Sequence, residues 1–430
     1  MFAGPPMNAS ATPVDSTHVD AGLAGLLSRS GLKPLHVAGR WLLPIVQGGM
    51  GVGISAHRLA GSVAAEGGVG TISSVDLRRH HPDLMAATEG LSARPGMDED
   101  SKARINEANV EALKREIHAA RDIAAGKGLI AVNVMRAISD YAAHVKTSLE
   151  SGADMVVVGA GLPLDLPDLA ADHPNALIVP ILSDSRGVAL IVKKWERKKR
   201  LPDAIVIEHP RLAAGHLGAA KIADLNDPRF DFERVLPEVR DFLRKAGIEK
   251  EIPLIAAGGI RTHADIARVQ ALGADAAQLG TAFAVTQECD ASPEFKQVLA
   301  EARDEDMVTF TSVAGLPARA VKTLWMKSYL AAEQKLQAVA HAKARCTKAF
   351  DCLAQCGLRD GFKDWGQFCI DNQLAAALRG DLKKGLFFRG VGALPFGSQI
   401  RSVRELMERL LTREANEAAP ELQALMAQPA

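Results

Sequence analysis

The sequence predicts an α/β protein, a (β/α)8 barrel with a C-terminal helical extension. Three observations carry this. Eight short apolar or β-branched runs recur along the first two thirds of the 430 residues, and each is followed by a segment with helical spacing. Many of the runs end in Gly, Asn, Ser, Asp or His, residues suited to a ligand-facing barrel mouth rather than to core.

The strands are read in order as "PIVQGG" (44–49), "VGTISS" (69–74), "LIAVNVM" (129–135), "MVVVGAG" (155–161), "LIVPILSD" (177–184), "AIVIEH" (204–209), "PLIAAGG" (253–259) and "AAQLGTAF" (276–283). Between them lie amphipathic patterns. In "HRLAGSVAAEGG", Leu59, Ala60, Val63 and Ala64 share one face and Gly67-Gly68 stops the helix. A doubly wound sheet is the rival, but "GGMGVG" (48–53) lacks the spacing and downstream acid of a dinucleotide fingerprint. The expected organisation is a flexible leader over 1–36, the barrel over 37–290 and a helical extension over 291–430.

Lys+Arg and Asp+Glu both number 51, so no net field draws the chain to nucleic acid or anionic lipid. The basic run "KKWERKKR" (193–200) reads as a solvated helix face, and His80-His81 as solvent-exposed. No apolar run approaches the roughly 20 residues of a membrane span. The N-terminus carries no secretory pattern, which leads us to expect a cytoplasmic protein without membrane contact.

Two glycine-bearing loops stand where barrel enzymes bind phosphate, after the seventh and eighth strands. Gly258, Gly259 and Gly280 can bring backbone N–H groups close to an anion, and Thr281 adds a hydroxyl. "QGGMG" after the first strand suits a flat ring, and Asn133 offers it a donor and an acceptor. His216, between Gly215 and Gly218, is a catalytic candidate with a near-neutral ordinary pKa. Ser183 can line the mouth, although Ser183-Asp184 before a helix is first of all a cap; Glu208 either anchors a loop or faces substrate.

The motifs "PIVQGGMGVGIS", "GVGTIS", "IAVNVM", "AAGHLG", "AAGGI", "QLGTAF" and "GLPARA", ordered over about 40–325, resemble the nitronate monooxygenase family of FMN-dependent barrels. The resemblance implies FMN contacts from Gln47, Gly48, Gly49, Met50 and Asn133, and from Gly258, Gly259, Gly280 and Thr281 at the phosphate; Ser183 and Gly215 are further expected cofactor contacts by their place at the mouth. It implies that His216 is the active-site histidine, serving as base toward a nitroalkane or as partner for the nitro group of a small nitronate that is oxidised with O2. The family often has E-A-G-G-H where this chain has Leu212-Ala213-Ala214-Gly215-His216, a departure that bears on substrate.

The same scaffold serves NAD(P)H-dependent reductases of quinones or enoyl thioesters, which is the alternative reading. A flavin-free barrel that binds a partner protein through its extension is a third. Cys346, Cys352, Cys356 and Cys369 are spaced C-x5-C-x3-C-x12-C, as iron–sulfur ligands can be, so a [4Fe-4S] cluster stands as an expectation beside buried small residues. The partners expected are a small-molecule substrate with O2 or NAD(P)H, with a homodimer as the assembly this reading allows.

Overall fold

The computed structural model describes residues 18–91, 99–341, 346, 348 and 350–413. Eight parallel strands close into a barrel: β1 (Ile45–Gln47), β2 (Val69–Ser73), β3 (Leu129–Met135), β4 (Met155–Gly159), β5 (Leu177–Leu182), β6 (Ile205–Glu208), β7 (Leu254–Ala257) and β8 (Ala276–Leu279). Each falls inside the run predicted for it. β8 pairs with β1 through Ala277↔Ile45 and closes the ring.

Strand alternation sorts the barrel's side chains. Val46, Val69, Ala131, Val157, Val179, Val206, Ala257 and Ala276 point inward and form one buried cluster, capped at the bottom by Leu35, Val37 and Leu42 of an antiparallel hairpin. The intervening positions, such as Ile72, Val132, Val156, Ile178 and Ile207, pack outward against the helices. β1 and β2 share a single registered pair, Val46↔Val69. The fully buried Gln47 reinforces that junction: its Oε1 accepts from Thr71 N–H at 2.8 Å and its Nε2 donates to Thr71 C=O at 3.1 Å.

The basic run begins in the last turn of helix Ser185–Glu196 and continues into the turn that follows it. Val188, Ile191, Val192 and Trp195 are buried while Lys193 and Lys194 stay in solvent. Asp184 caps this helix by accepting from Gly187 N–H. His80 and His81 differ from expectation. His80 Nε2 lies 2.8 Å from Gly53 C=O, and His81 Nε2 lies 2.9 Å from the carboxylate of Glu116, a residue on helix Glu99–Ala124. Both rings therefore tie barrel loops together, and adjacent histidines in a polar stretch gave no hint of it.

The expected boundaries at 36 and 290 do not mark separately packed units. Within the expected leader, helix Ala21–Ser30 packs on the barrel wall with Leu23 and Leu27 buried; residues 1–17 lie outside the described residues. Arg404, on helix Val403–Leu411, bonds Asp20 and Glu66 and so joins that helix to the cap of helix Ala21–Ser30 and to the end of the first barrel helix, His57–Ala65. The extension is also not purely helical. Strands Met307–Thr311 and Pro317–Val321 form a hairpin, and the second pairs with Gly215-His216 in a three-stranded sheet. Phe295, Met326 and Phe387 join the barrel's outer core, so the extension is part of the same packed body.

Candidate active site

Above the strand ends lies a cavity of about 310 Å3. The two-residue alternation that fills the barrel core continues into its floor: Gly48, Ser73, Asn133, Gly159, Ile181, Glu208, Ala257 and Gln278 all line it. Asn133, Glu208 and Gln278 face it with side chains that have no hydrogen-bond partner among the described residues. Gly48, Gly49 and Met50 form a neighbouring wall. A Cβ on Gly49 would stand 2.4 Å from Asn133 Cβ, so only glycine lets this loop lie flat over the floor.

The seventh and eighth strand ends supply the opposite wall. Gly258 and Gly259 have φ of +105° and +71°, a conformation that favours glycine. The amides of Gly258, Gly259 and Gly280 make no hydrogen bond among the described residues, and all three line the cavity with Thr281. Thr281 Oγ1 accepts from Gly390 N–H at 3.1 Å, which leaves its own proton free to donate. Gly390, Val391, Gly392 and Arg261 complete this end. Orphan amides beside a cation and a hydroxyl are the donor set of a phosphate, and the flatter floor beside them suits a heteroaromatic ring.

His216 lines the cavity and is held from the extension. Its backbone pairs with Ala318, Leu217 N–H donates to Pro317 C=O, and its Nε2 lies 3.0 Å from the fully buried Ser312 Oγ. Ser312 Oγ also accepts from Ala314 N–H at 3.2 Å. Burial pushes the imidazole down to about 4, so it is neutral at physiological pH. Phe388 approaches its ring at 6.2 Å between centroids.

The cavity thus gathers His216, Gly48, Gly49, Met50, Asn133, Gly215, Gly258, Gly259, Gly280 and Thr281. Two expected ligand contacts stand outside it. Gln47 points away from the barrel axis into its clamp on Thr71, and Ser183, although buried, packs its Oγ beneath Gly218. Cys346, Cys352, Cys356 and Cys369 lie near enough to act on one another electrostatically, while among the described residues no group of three or more His, Cys, Asp or Glu is placed to hold a metal ion. Burial raises the Cys352, Cys356 and Cys369 thiols, and Cys352 alone of the four lines the cavity.

A nitronate monooxygenase family model matches residues 40–413, which is most of the chain. The chain belongs to the nitronate monooxygenase family, a family of flavin-dependent oxidoreductases. A probable nitronate monooxygenase of Bacillus subtilis is 30% identical over 130 residues, 30% of this chain and 35% of that protein; the first curated relatives are thus matched over about a third of their length. A probable nitronate monooxygenase of Staphylococcus aureus is 23% identical over 303 residues, 66% of this chain and 76% of that one. Among solved structures, FabK from Thermotoga maritima has a TM-score of 0.58 at 20% identity, covering 91% of this chain and 95% of that one. Nitroalkane oxidase from Streptomyces ansochromogenes has the same score and identity, covering 93% and 99%.

The nitronate monooxygenase match runs past the last motif seen in sequence, at 320, into residues that build the cavity. Ser312, Phe388 and the Gly390–Gly392 turn escaped the sequence reading. "RGVG" (389–392) carries a G-x-G signal, but nothing local says that it folds back onto β8. Among the described residues no helix is long and apolar enough to cross a membrane.

Proposed function

We propose that this member of the family is an FMN-dependent oxidoreductase that oxidises small alkyl nitronates or nitroalkanes with O2. The observation that carries the reading is a neutral, cavity-facing His216 opposite a cradle of unpartnered glycine amides. Gly258, Gly259, Gly280 and Thr281 would hold the FMN phosphate, and Asn133, Gln278 and the Gly48–Met50 wall its ring. Bound there, FMN would supply the redox chemistry that couples oxidation of the substrate to reduction of dioxygen.

The chain's own residues bind and orient the substrate. With Nε2 engaged by Ser312, His216 Nδ1 has no partner among the described residues. In the tautomer where Ser312 donates to Nε2, Nδ1 carries a proton with which it can donate a hydrogen bond to an anionic nitro oxygen. An imidazole held near 4 is a weak base toward a neutral nitroalkane but a good donor toward a nitronate. This favours nitronates over nitroalkanes as substrates. The mostly apolar lining around it, with Ile181, Met135 and Phe388, suits a short alkyl chain and keeps bulk water out.

The test is direct. Purified protein should be yellow, release FMN on denaturation and consume oxygen with alkyl nitronates, and His216→Ala should lose most of that oxygen uptake while keeping its flavin. Rapid anaerobic bleaching by NADH or NADPH with no nitronate activity would instead assign the reductase reading. Protein that takes up no FMN when it is supplied would sink both.

A further inference from the structure

The floor of the cavity contains one feature that the proposed reaction does not use. Of the side chains that strand alternation aims inward at the top of the barrel, Ser73, Asn133, Met135, Ile181, Ala257 and Gln278 cannot ionise near neutral pH. The remaining one is Glu208, the last residue of β6, two positions beyond the inward-facing Val206. It has no ion pair and no hydrogen bond among the described residues, and Gly218 leaves it room: a Cβ there would lie 2.9 Å from Glu208 Oε2. A carboxylate in such a place would be a partly buried, uncompensated charge.

Resting on the FMN reading above, we propose that Glu208 is a positioning residue for the flavin ring, meeting it in the protonated form as a hydrogen-bond donor. A neutral carboxylic acid offers an O–H and a carbonyl, the same pair of functions that the neighbouring Asn133 and Gln278 amides present, so the three polar floor groups would address one heteroaromatic edge. The ionised form could only accept, and would set a negative charge against an anionic ligand.

Burial pushes the Glu208 carboxyl up to about 7, with no charged neighbour contributing. The titratable groups on the elements around it are His216 in its own loop, Asp184 after β5, where it caps the next helix, and Arg261 after β7. His209, next in sequence, turns outward to Asp231. Asp76 and Asp371 stand in the cavity wall, bound by Arg79.

The experiment measures FMN affinity of the stripped full-length protein by fluorescence quenching between pH 5.5 and 9. If the protonated form alone binds, affinity at pH 8 should be about tenfold weaker than at pH 6. Glu208→Gln keeps a donor at every pH and should flatten that dependence; Glu208→Leu should bind weakly and without the step. The second ionisation of the FMN phosphate, near about pH 6, acts on all three proteins alike, so the difference between them is the readout. His216→Ala should keep the wild-type profile. Tight binding with the same pH profile in wild type and Glu208→Gln would overturn the inference and leave the FMN reading standing. Absence of binding by the wild type at every pH would overturn the FMN reading and this inference together.

Discussion

His216 Nε2 and Ser312 Oγ lie 3.0 Å apart although 96 residues separate them in the chain. The contact joins the β6 loop to the hairpin of the extension, beside the strand pairing of His216 with Ala318. The barrel alone would leave this histidine on an unsupported loop. Ser312→Ala removes the group that fixes the ring's tautomer and orientation, a hydrogen bond worth about 1 to 1.5 kcal/mol. Oxygen uptake with a nitronate should fall about tenfold in kcat, with FMN content unchanged. Unchanged kcat would show that the sheet pairing holds the ring without the serine.

Gly259 adopts φ +71°, and a Cβ there would sit 2.8 Å from Leu212 Cδ1. Gly259→Ala therefore combines a left-handed backbone strain of about 1 to 2 kcal/mol with a shift of the adjoining loop. FMN should bind about tenfold or more weakly, visible as a lower ratio of flavin to protein absorbance after purification. Retention of full flavin would remove the β7 loop from the phosphate site.

Glu116, 1% exposed, accepts hydrogen bonds from the backbone and Nδ1 of His57 and lies within 2.9 Å of His81. That bond raises the His57 pKa above its ordinary 6.5, against the opposing effect of burial. A raised folded-state pKa means stabilisation that is complete below about pH 6.5 and lost as pH climbs through the raised value. Glu116→Gln should destabilise by about 2 kcal/mol at pH 6 and by less at pH 9. Thermal melts of the two proteins at both pH values check this, and an equal difference at both would refute the linkage.

Asp371 lies 3% exposed on helix Ile370–Leu378 and receives Arg79 at 2.7 Å, with Lys348 on the same carboxylate. Arg79 reaches in turn to Asp76 in the loop after β2. The two cations hold Asp371 ionised well below the usual carboxylate range, while burial and the neighbouring Asp371 charge push Asp76 up to about 7. Asp371→Ala leaves Arg79 and Lys348 short of a partner, and should cost about 3 kcal/mol. A lower melting temperature together with faster proteolytic cleavage within 346–378 is the expected result. An unaltered melt would mean that the hydrophobic contacts of helix Ile370–Leu378 carry the attachment.

The barrel was legible because its signal is local. Strands such as Leu129–Met135 and Leu177–Leu182 are mostly apolar on both faces, since one side packs in the barrel and the other on helices. The glycines at 258, 259 and 280 were legible for the same reason: position along a βα unit gives position at the rim. Gln47 misled because it is a polar residue at the top of a strand, as Asn133 is, yet the opposite parity of the alternation turns it away from the axis.

What the sequence determined by itself is the eight-stranded α/β barrel, the nitronate monooxygenase resemblance and a glycine-lined mouth containing His216. The tertiary structure decided the rest. It placed Ser312 behind His216, folded Gly390 onto Thr281, enclosed helices Ala21–Ser30 and Val403–Leu411 in one core, and left Glu208 unpartnered among the inward-facing groups. The physical reason is range. Strand and helix periodicity act over a few residues, whereas the environment of a side chain depends on segments a hundred residues away that burial and hydrogen bonding bring against it.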